Sequence, residues 1–184
     1  YRAEAFADWI EAWSETPTGR GPDAVSICSF IEEEPLGTGG ALPRLVDWLN
    51  DVFFVFNGDT LFGTPLLDLA DLLLTSGSAG AVALREVPET SRYGAVRLEG
   101  DRVVSFAEKA GSGPGLINGG VYAFRHSVLA GMRSPCSLEQ DLLPSLVEQD
   151  ELVGLPGDGF FIDIGLPETY EEAQRAVPTW WATK

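Results

Sequence analysis

The sequence predicts an α/β fold in which helices flank an open, mixed sheet and a small antiparallel lobe lies beside it. Helical and strand-like segments alternate through the first half of the 184 residues, as in sheets whose parallel strands are joined by helices. The run at residues 52–56 is almost continuously apolar, which is typical of a strand covered on both faces. Short hairpin-like strands dominate the second half and predict the antiparallel part. In such folds, ligands bind at the carboxyl ends of the strands.

The first half contains three helical and two strand segments. Apolar residues recur every three or four positions in residues 2–14, which predicts an amphipathic helix. Residues 25–31 read as a strand, and a helix is expected to run from the glycine-rich segment after it to about Leu49. The 52–56 strand ends in Asn-Gly-Asp-Thr, and residues 66–74 are predicted to be helical.

The second half is predicted to contain six further strands and two further helices. A short turn of Glu, Gly and Asp joins the strands of a hairpin, and Ser137 is placed to cap a helix. Pro167 suits the first turn of the last helix. The elements are a strand at 81–87, hairpin strands at 94–98 and 103–106, a strand at 116–124, a helix at 137–149, two short strands within 152–164 and a helix at 167–176.

Composition narrows the possible functions. The chain has 28 acidic and 12 basic residues and a formal charge of −16, which disfavours binding to nucleic acid or to an anionic membrane. Its one histidine, His126, argues against a His-rich zinc site and a Ser–His–Asp triad. The two cysteines form no disulfide framework, and neither a membrane-spanning run nor a secretory leader is recognised, so we expect a cytoplasmic protein. The length predicts a single domain over residues 1–184.

Two aspartates follow apolar strands and predict a metal site. Asp59 comes after the 52–56 strand, and Asp163 comes after Phe-Phe-Ile. Mg²⁺ favours one or two carboxylates together with substrate phosphate, so two acids at strand ends suit it. The alternative for Asp59 is a turn in which its side chain caps the next helix.

Three other segments have both a binding and a plain structural interpretation. The glycines around Thr38 could bring backbone amides close to a ligand, or they could simply form a turn before a helix. Lys109 is the only lysine besides the last residue, and with Glu108 it could face a sugar phosphate or form a solvated surface pair. Asn118 and Gly119 lie within a strand, where the alternative is a β-bulge.

Taken in order, these segments resemble the sugar-phosphate nucleotidyltransferases, and within that family the guanylyltransferases that act on heptose or mannose 1-phosphate. The resemblance covers most of the chain. It is carried by Glu34-Pro35-Leu36-Gly37-Thr38-Gly39-Gly40-Ala41, Asn57-Gly58-Asp59-Thr60, Ser91-Arg92-Tyr93-Gly94-Ala95-Val96, Phe106-Ala107-Glu108-Lys109, Ile117-Asn118-Gly119-Gly120-Val121-Tyr122, Ser137-Leu138-Glu139-Gln140-Asp141 and Phe161-Ile162-Asp163-Ile164-Gly165.

The resemblance implies a Rossmann-like nucleotidyltransferase fold and an enzyme that joins a sugar 1-phosphate to an NTP, GTP by preference, with release of pyrophosphate. It also implies a role for each matching position. Asp59 and Asp163 would hold Mg²⁺, and Lys109 would bind the sugar phosphate. The sugar would contact Gly94, Glu108, Asn118 and Gly119, whereas the base and ribose would lie beside Leu36, Gly37 and Thr38. A homo-oligomer and a role in lipopolysaccharide or S-layer glycan precursors are further expectations.

One family feature is missing from the 184 residues. The family begins with a strand and a Gly-x-Gly-Thr-Arg loop that cradles the triphosphate, and no such segment precedes Tyr1. We therefore expect the first βαβ unit to be absent and the chain alone to be inactive. Two alternatives stay open: a non-catalytic nucleotide-sugar-binding or regulatory domain of the same fold, and a glycosyltransferase with an Asp-containing metal turn.

Overall fold

A computed structural model describes residues 3–16, 25–91, 93–107 and 113–184. The chain divides into two compact units, Tyr1–Leu36 and Gly37–Lys184. That all 184 residues form one domain stays a prediction. No helix within the described ranges has both the length and the apolar character needed to cross a membrane.

The first unit contains the predicted amphipathic helix, α1 (Ala3–Ser14). Its Trp9 and Trp13 rings stack with centroids 5.8 Å apart, which is the spacing of side chains one helical turn apart. The prediction of a strand at residues 25–31 is wrong, because this segment has no regular secondary structure. A strand needs a hydrogen-bonded neighbour, and no strand among the described residues pairs with this one.

The second unit is built on a mixed six-stranded sheet, which confirms the predicted α/β class. The strands lie in the order β1-β6-β3-β7-β5-β4, and β6 also pairs with β4. Strands β3 and β7 are parallel, whereas β6 is antiparallel to both β1 and β3. A separate antiparallel pair, β2 and β8, forms the small lobe. The bounds are β1 Val52–Phe56, β2 Thr60–Phe62, β3 Gly80–Val87, β4 Ala95–Glu99, β5 Arg102–Ala107, β6 Gly115–Arg125, β7 Leu152–Gly157 and β8 Phe161–Asp163.

Two details of the sheet differ from the sequence-based expectation. The apolar strand β1 pairs with antiparallel β6 rather than with a parallel neighbour. The β4–β5 hairpin joins the main sheet instead of the small lobe, because β4 pairs with β6 and β5 reaches β7. Apolar runs alone do not specify the pairing partner of a strand, since burial on both faces suits either orientation.

Helices cover the sheet, and α2 (Leu66–Ser76), α3 (Leu143–Glu148) and α4 (Pro167–Trp181) occupy the predicted positions. The helix expected to reach Leu49 is a 3₁₀ helix at Leu42–Trp48, a form common in short pieces. Another 3₁₀ helix spans His126–Gly131, and a π-helical turn at Leu138–Leu142 precedes α3.

Alternate side chains of the central strands fill two cores, one on each face of the sheet. In β6, Tyr122 and Phe124 point into one core and Val121 and Ala123 into the other, and all four are buried. This follows from the two-residue period of a strand. Near the end of the chain, Trp180 of α4 stacks on Phe160 with ring centroids 5.1 Å apart.

Candidate active site

The small β2–β8 sheet brings the two predicted metal ligands together. Thr60 pairs with Asp163, and the backbone N–H of Ile164 donates to the Asp59 carbonyl at 2.8 Å. The two aspartates therefore lie at the same end of the same two-stranded sheet. Asp163 Oδ1 accepts a hydrogen bond from the Gly165 N–H at 2.7 Å, and Asp59 Oδ1 accepts one from Thr60 Oγ1 at 3.3 Å.

Aromatic packing fixes this sheet against the rest of the site. The Phe62 and Phe161 rings meet edge to face with centroids 5.8 Å apart, and Tyr93 meets Phe161 in the same way at 6.2 Å. Tyr93 precedes Gly94, so the packing places Gly94 next to the strand that ends at Asp163. Phe62 also packs on Gly119, where an added Cβ would lie 2.5 Å from Phe62 Cδ1.

Strand β6 contains the β-bulge that was the alternative explanation for its glycines. Val82 of β3 pairs with Tyr122, but Leu84 pairs with Asn118, so β6 carries extra residues between these two pairs. Gly120 lies in the bulge at φ +71°, a left-handed conformation that favours glycine. Gly119 is buried, so packing against Phe62 accounts for the absence of a side chain there.

The bulge fixes the orientation of the Asn118 amide. Its Nδ2 donates to the Tyr122 hydroxyl at 2.6 Å, and its Oδ1 accepts from the Gly120 N–H at 3.0 Å. The Gly120 carbonyl in turn accepts from the Asn57 N–H at 2.8 Å, which connects β6 to the turn that carries Asp59. A primary amide has two N–H donors, and within the described residues one of those of Asn118 is used, so the other is available to a ligand.

The glycine-rich segment is anchored to the start of the 138–148 helical region. The Thr38 hydroxyl donates to Glu139 Oε2 at 2.7 Å and accepts from the Leu138 N–H at 2.9 Å. The Gly39 N–H donates to the Cys136 carbonyl at 2.9 Å. Gly37 has φ +79°, and a Cβ there would lie 2.5 Å from the Cys136 carbonyl oxygen. Backbone strain and lack of space therefore both require glycine at position 37.

The pKa of Tyr122 responds to charges on both the Glu139 side and the Asp59 side of the site. Burial raises the pKa of the Tyr122 hydroxyl well above its usual value, and the negative charges of Glu139 and Asp59 raise it further. Hydrogen bonds from Asn118 and Asn57 oppose part of that rise. Tyr122 is therefore neutral at physiological pH, and it lies close to both the Thr38–Glu139 contact and the Asp59 turn.

Three predicted site residues are not part of the set described above. Glu108 and Lys109 lie outside the described residues. Leu36 belongs to the first unit, where it is half-buried and its N–H donates to Glu32 Oε2 at 3.1 Å. A cavity of about 700 Å³ is lined in part by Arg125 and Arg133, and none of the predicted site residues that the structure describes lines it.

The two carboxylates suit a magnesium ion. No group of three or more metal-ligating side chains occurs within the described ranges, but Mg²⁺ is commonly held by two carboxylates and completed by phosphate and water. Asp59 is exposed and Asp163 is half-buried, and each has one carboxylate oxygen without a protein partner in the part of the chain described. Hard, partly accessible oxygens of this kind fit the ion.

Sequence reasoning did not select Glu139 and Tyr122 as site residues. Both belong to motifs that carry the family resemblance, but acids at a helix start and an aromatic residue in a strand are common structural features. For Glu139, the feature of the sequence that could have indicated a site role is the glycine-rich segment around Thr38. Thr38 is the only residue with a side chain between Gly37 and Gly40, so its hydroxyl needs a partner on another element.

No family model matches the chain. It is 35% identical over 164 residues to D-glycero-α-D-manno-heptose 1-phosphate guanylyltransferase from Aneurinibacillus thermoaerophilus, a match covering 88% of this chain and 71% of the relative. It is 34% identical over 179 residues to mannose-1-phosphate guanyltransferase from Candida albicans, a match covering 92% of this chain and 48% of that enzyme. The chain therefore spans about half the length of that longer relative.

Solved structures give the same result. The crystal structure of HddC from Yersinia pseudotuberculosis matches 94% of this chain and 73% of its own length, with a TM-score of 0.76 and 29% identity. HddC complexed with GMP-PN matches with a TM-score of 0.73 and 28% identity. The ordered motifs, the shared fold and this level of identity over most of the chain agree. The chain belongs to the sugar-1-phosphate nucleotidyltransferases, a family of enzymes, and its relatives are guanylyltransferases named for heptose and mannose 1-phosphates.

Proposed function

We propose that this chain forms the metal- and sugar-binding part of a guanylyltransferase that converts GTP and a heptose or mannose type of sugar 1-phosphate into a GDP-sugar and pyrophosphate. The observation that carries the proposal is the placement of Asp59 and Asp163 side by side at the end of the β2–β8 sheet. The relatives named as guanylyltransferases, and the solved HddC complex with GMP-PN, support GTP as the nucleotide.

In the proposed reaction, an oxygen of the sugar phosphate attacks the α-phosphorus of GTP. A new P–O bond forms there while the bond to the β-phosphate oxygen breaks, so pyrophosphate leaves with the electron pair. Such transfers depend on positioning and charge neutralisation more than on covalent protein chemistry. A Mg²⁺ ion held by Asp59 and Asp163 would supply charge neutralisation at the phosphates.

The other residues would bind and orient the substrates. Gly37 and Thr38 would present backbone groups to the nucleotide, with Leu36 preceding them in the chain. Asn118 offers its remaining N–H to the sugar, and the backbone at Gly94 and Gly119 shapes the same region. Lys109 would neutralise the sugar phosphate and Glu108 would accept sugar hydroxyls. Lys109 is suited to this role because so few cations offset the charge of −16.

The proposal extends to the context of the reaction. A nucleotide-sugar synthesised for lipopolysaccharide or S-layer glycans would be made in the cytoplasm, where GTP is available. The 184 residues contain no Gly-x-Gly-Thr-Arg loop, so we expect this chain alone to turn over poorly. Rapid GDP-sugar formation by the 184-residue chain would contradict that expectation.

Ligand binding by three variants tests the proposal. We expect wild type to bind GDP-mannose in a Mg²⁺-dependent manner, and Asp59→Asn and Asp163→Asn each to weaken that binding by about tenfold or more, because each removes an anionic metal ligand. Asp71→Asn is the matched control, since Asp71 is exposed on α2. Calorimetry with and without Mg²⁺ provides the measurement. Mg²⁺-independent binding, or equal binding by all three variants, would refute the assignment.

A further inference from the structure

The segment from Gly37 to Gly40 has only one side chain that can hold it in a fixed conformation. Three of its four residues are glycines, which have no side chain to pack and lose the most conformational freedom on ordering. Only Thr38 can hold the loop through a side chain. The conformation of the loop therefore depends on what the Thr38 hydroxyl contacts.

That hydroxyl contacts a carboxylate about a hundred positions away in sequence. Thr38 Oγ1 donates to Glu139 Oε2 at 2.7 Å, and the same oxygen of Glu139 accepts from Ser137 Oγ at 3.2 Å. A hydrogen bond to an ionised acceptor is about twice as strong as a neutral one. Glu139 is therefore more than an acid near a helix start, because its carboxylate accepts hydrogen bonds from the Thr38 hydroxyl and from the hydroxyl of the capping Ser137.

The loop backbone also makes contacts with the neighbouring segment at residues 134–138. The Gly39 N–H donates to the Cys136 carbonyl at 2.9 Å, and Ser134 Oγ donates to the Gly40 carbonyl at 2.9 Å. The Leu138 N–H donates to Thr38 Oγ1 at 2.9 Å, which leaves the hydroxyl proton to point at Glu139. Removing the carboxylate would free that proton and loosen the loop at the one residue of the loop that has a side chain.

From these contacts we infer that Glu139 is a positioning residue for the nucleotide: its carboxylate holds Thr38, and through Thr38 the Gly37–Gly40 loop, in the conformation that binds base and ribose. The inference rests on the proposed nucleotide-binding role of this loop. It adds a residue on a distant helical turn to the nucleotide side of the site.

The sugar side is expected to be unaffected. Asn118 is oriented by the Tyr122 hydroxyl and the Gly120 N–H, and neither contact involves Glu139. Tyr122 stays neutral with or without the nearby carboxylate, because its burial already favours the uncharged phenol. Loss of Glu139 should therefore weaken nucleotide binding while leaving sugar-phosphate binding unchanged, a split that general unfolding would not produce.

Calorimetry with two probes, GDP and mannose 1-phosphate in the presence of Mg²⁺, tests the inference. We expect Glu139→Ala and Thr38→Val each to raise the Kd for GDP about tenfold, as for loss of a charge-assisted hydrogen bond. The Kd for mannose 1-phosphate should change by less than about twofold. Thr38→Ser keeps the hydroxyl and should restore most of the GDP affinity that Thr38→Val loses. Because both residues act through one bond, the double variant Thr38→Val/Glu139→Ala should be no weaker than the weaker single variant.

Amide hydrogen exchange tests the contact independently of any ligand. The Gly39 and Leu138 amides should exchange faster in Glu139→Ala than in wild type, and they should keep wild-type rates in Glu148→Ala, a control at an exposed acid of α3. Wild-type exchange rates and wild-type GDP affinity in Glu139→Ala would overturn the inference. It would also be overturned if the increases in the Kd for GDP caused by Thr38→Val and by Glu139→Ala multiplied in the double variant. If wild type binds no GDP, the proposed function fails, and the exchange rates alone decide whether Glu139 holds the loop.

Discussion

Gly119→Ala tests how the fold positions the candidate metal site. Gly119 is buried in β6, and its φ lies outside the left-handed region, so the cost of a side chain is steric rather than conformational. A Cβ would lie 2.5 Å from Phe62 Cδ1 and 2.8 Å from the Ala83 carbonyl oxygen. The ring could turn away, but the carbonyl belongs to the paired central strand and cannot move without disturbing the sheet.

The two opposing effects of this substitution can be compared in magnitude. Overpacking a core usually costs about 1–3 kcal/mol. Replacing glycine with alanine also restricts the unfolded chain, which stabilises by about 0.4–1 kcal/mol. The steric cost is larger, so we expect a net loss of about 1–2 kcal/mol, which for a chain of this size lowers Tm by about 2–8 °C.

Urea unfolding followed by tryptophan fluorescence measures this change. Gly131→Ala is the matched control, because a Cβ at Gly131 meets nothing within 4 Å, and it should be neutral or slightly stabilising. Adding Phe62→Leu to Gly119→Ala should relieve part of the conflict, so the double variant should lose less stability than the two single losses combined. If Gly119→Ala unfolds at the same urea concentration as wild type, the packing argument is wrong.

Three further predictions concern individual side chains. Burial raises the pKa of Tyr122, so the phenol stays protonated to a higher pH in the folded state than in the unfolded state. The free energy of unfolding should therefore be unaffected by this group below the usual tyrosine pKa of about 10 and should fall above it. In urea titrations from pH 8 to 11, Tyr122→Phe should make that fall less steep. Ser137 Oγ accepts from the Gln140 N–H at 3.1 Å as a helix cap, so Ser137→Ala should lower the free energy of unfolding by about 1 kcal/mol, and Ser137→Asp should restore most of it. Burial and the nearby Asp141 raise the pKa of the Cys136 thiol, whereas Cys28 is exposed. Thiol labelling should therefore show one fast phase, which Cys28→Ser removes. Equal labelling rates for the two cysteines would contradict the burial of Cys136.

Much of the architecture was predictable because it depends on short-range patterns. The helix α1, the β4–β5 hairpin and the Ser137 cap were predicted from apolar spacing and turn chemistry within a few residues. The prediction of a strand at residues 25–31 was wrong because strand formation depends on pairing with a segment distant in the sequence. Local sequence can favour extended backbone, but a strand exists only where a partner accepts its hydrogen bonds.

The candidate site was predictable in part. Asp59 and Asp163 were selected because each ends an apolar strand, and the structure does place them together. The contact of Thr38 with Glu139 was not predicted, because nothing in either segment indicates the other. The bulge in β6 was considered only as an alternative, and its hydrogen bonds from Asn118 to Tyr122 and Gly120 depend on the register with β3.

Local periodicity and motifs in a fixed order were enough to predict the fold class, most of the elements and the family of this chain. Which strands pair, the antiparallel position of β6 between β1 and β3, and the side-chain contact across more than a hundred residues became known only from the three-dimensional structure. Those contacts depend on strand register and on the bulge at Gly120. A shift of one residue would turn every side chain of a strand to the other face, and no local pattern specifies that choice.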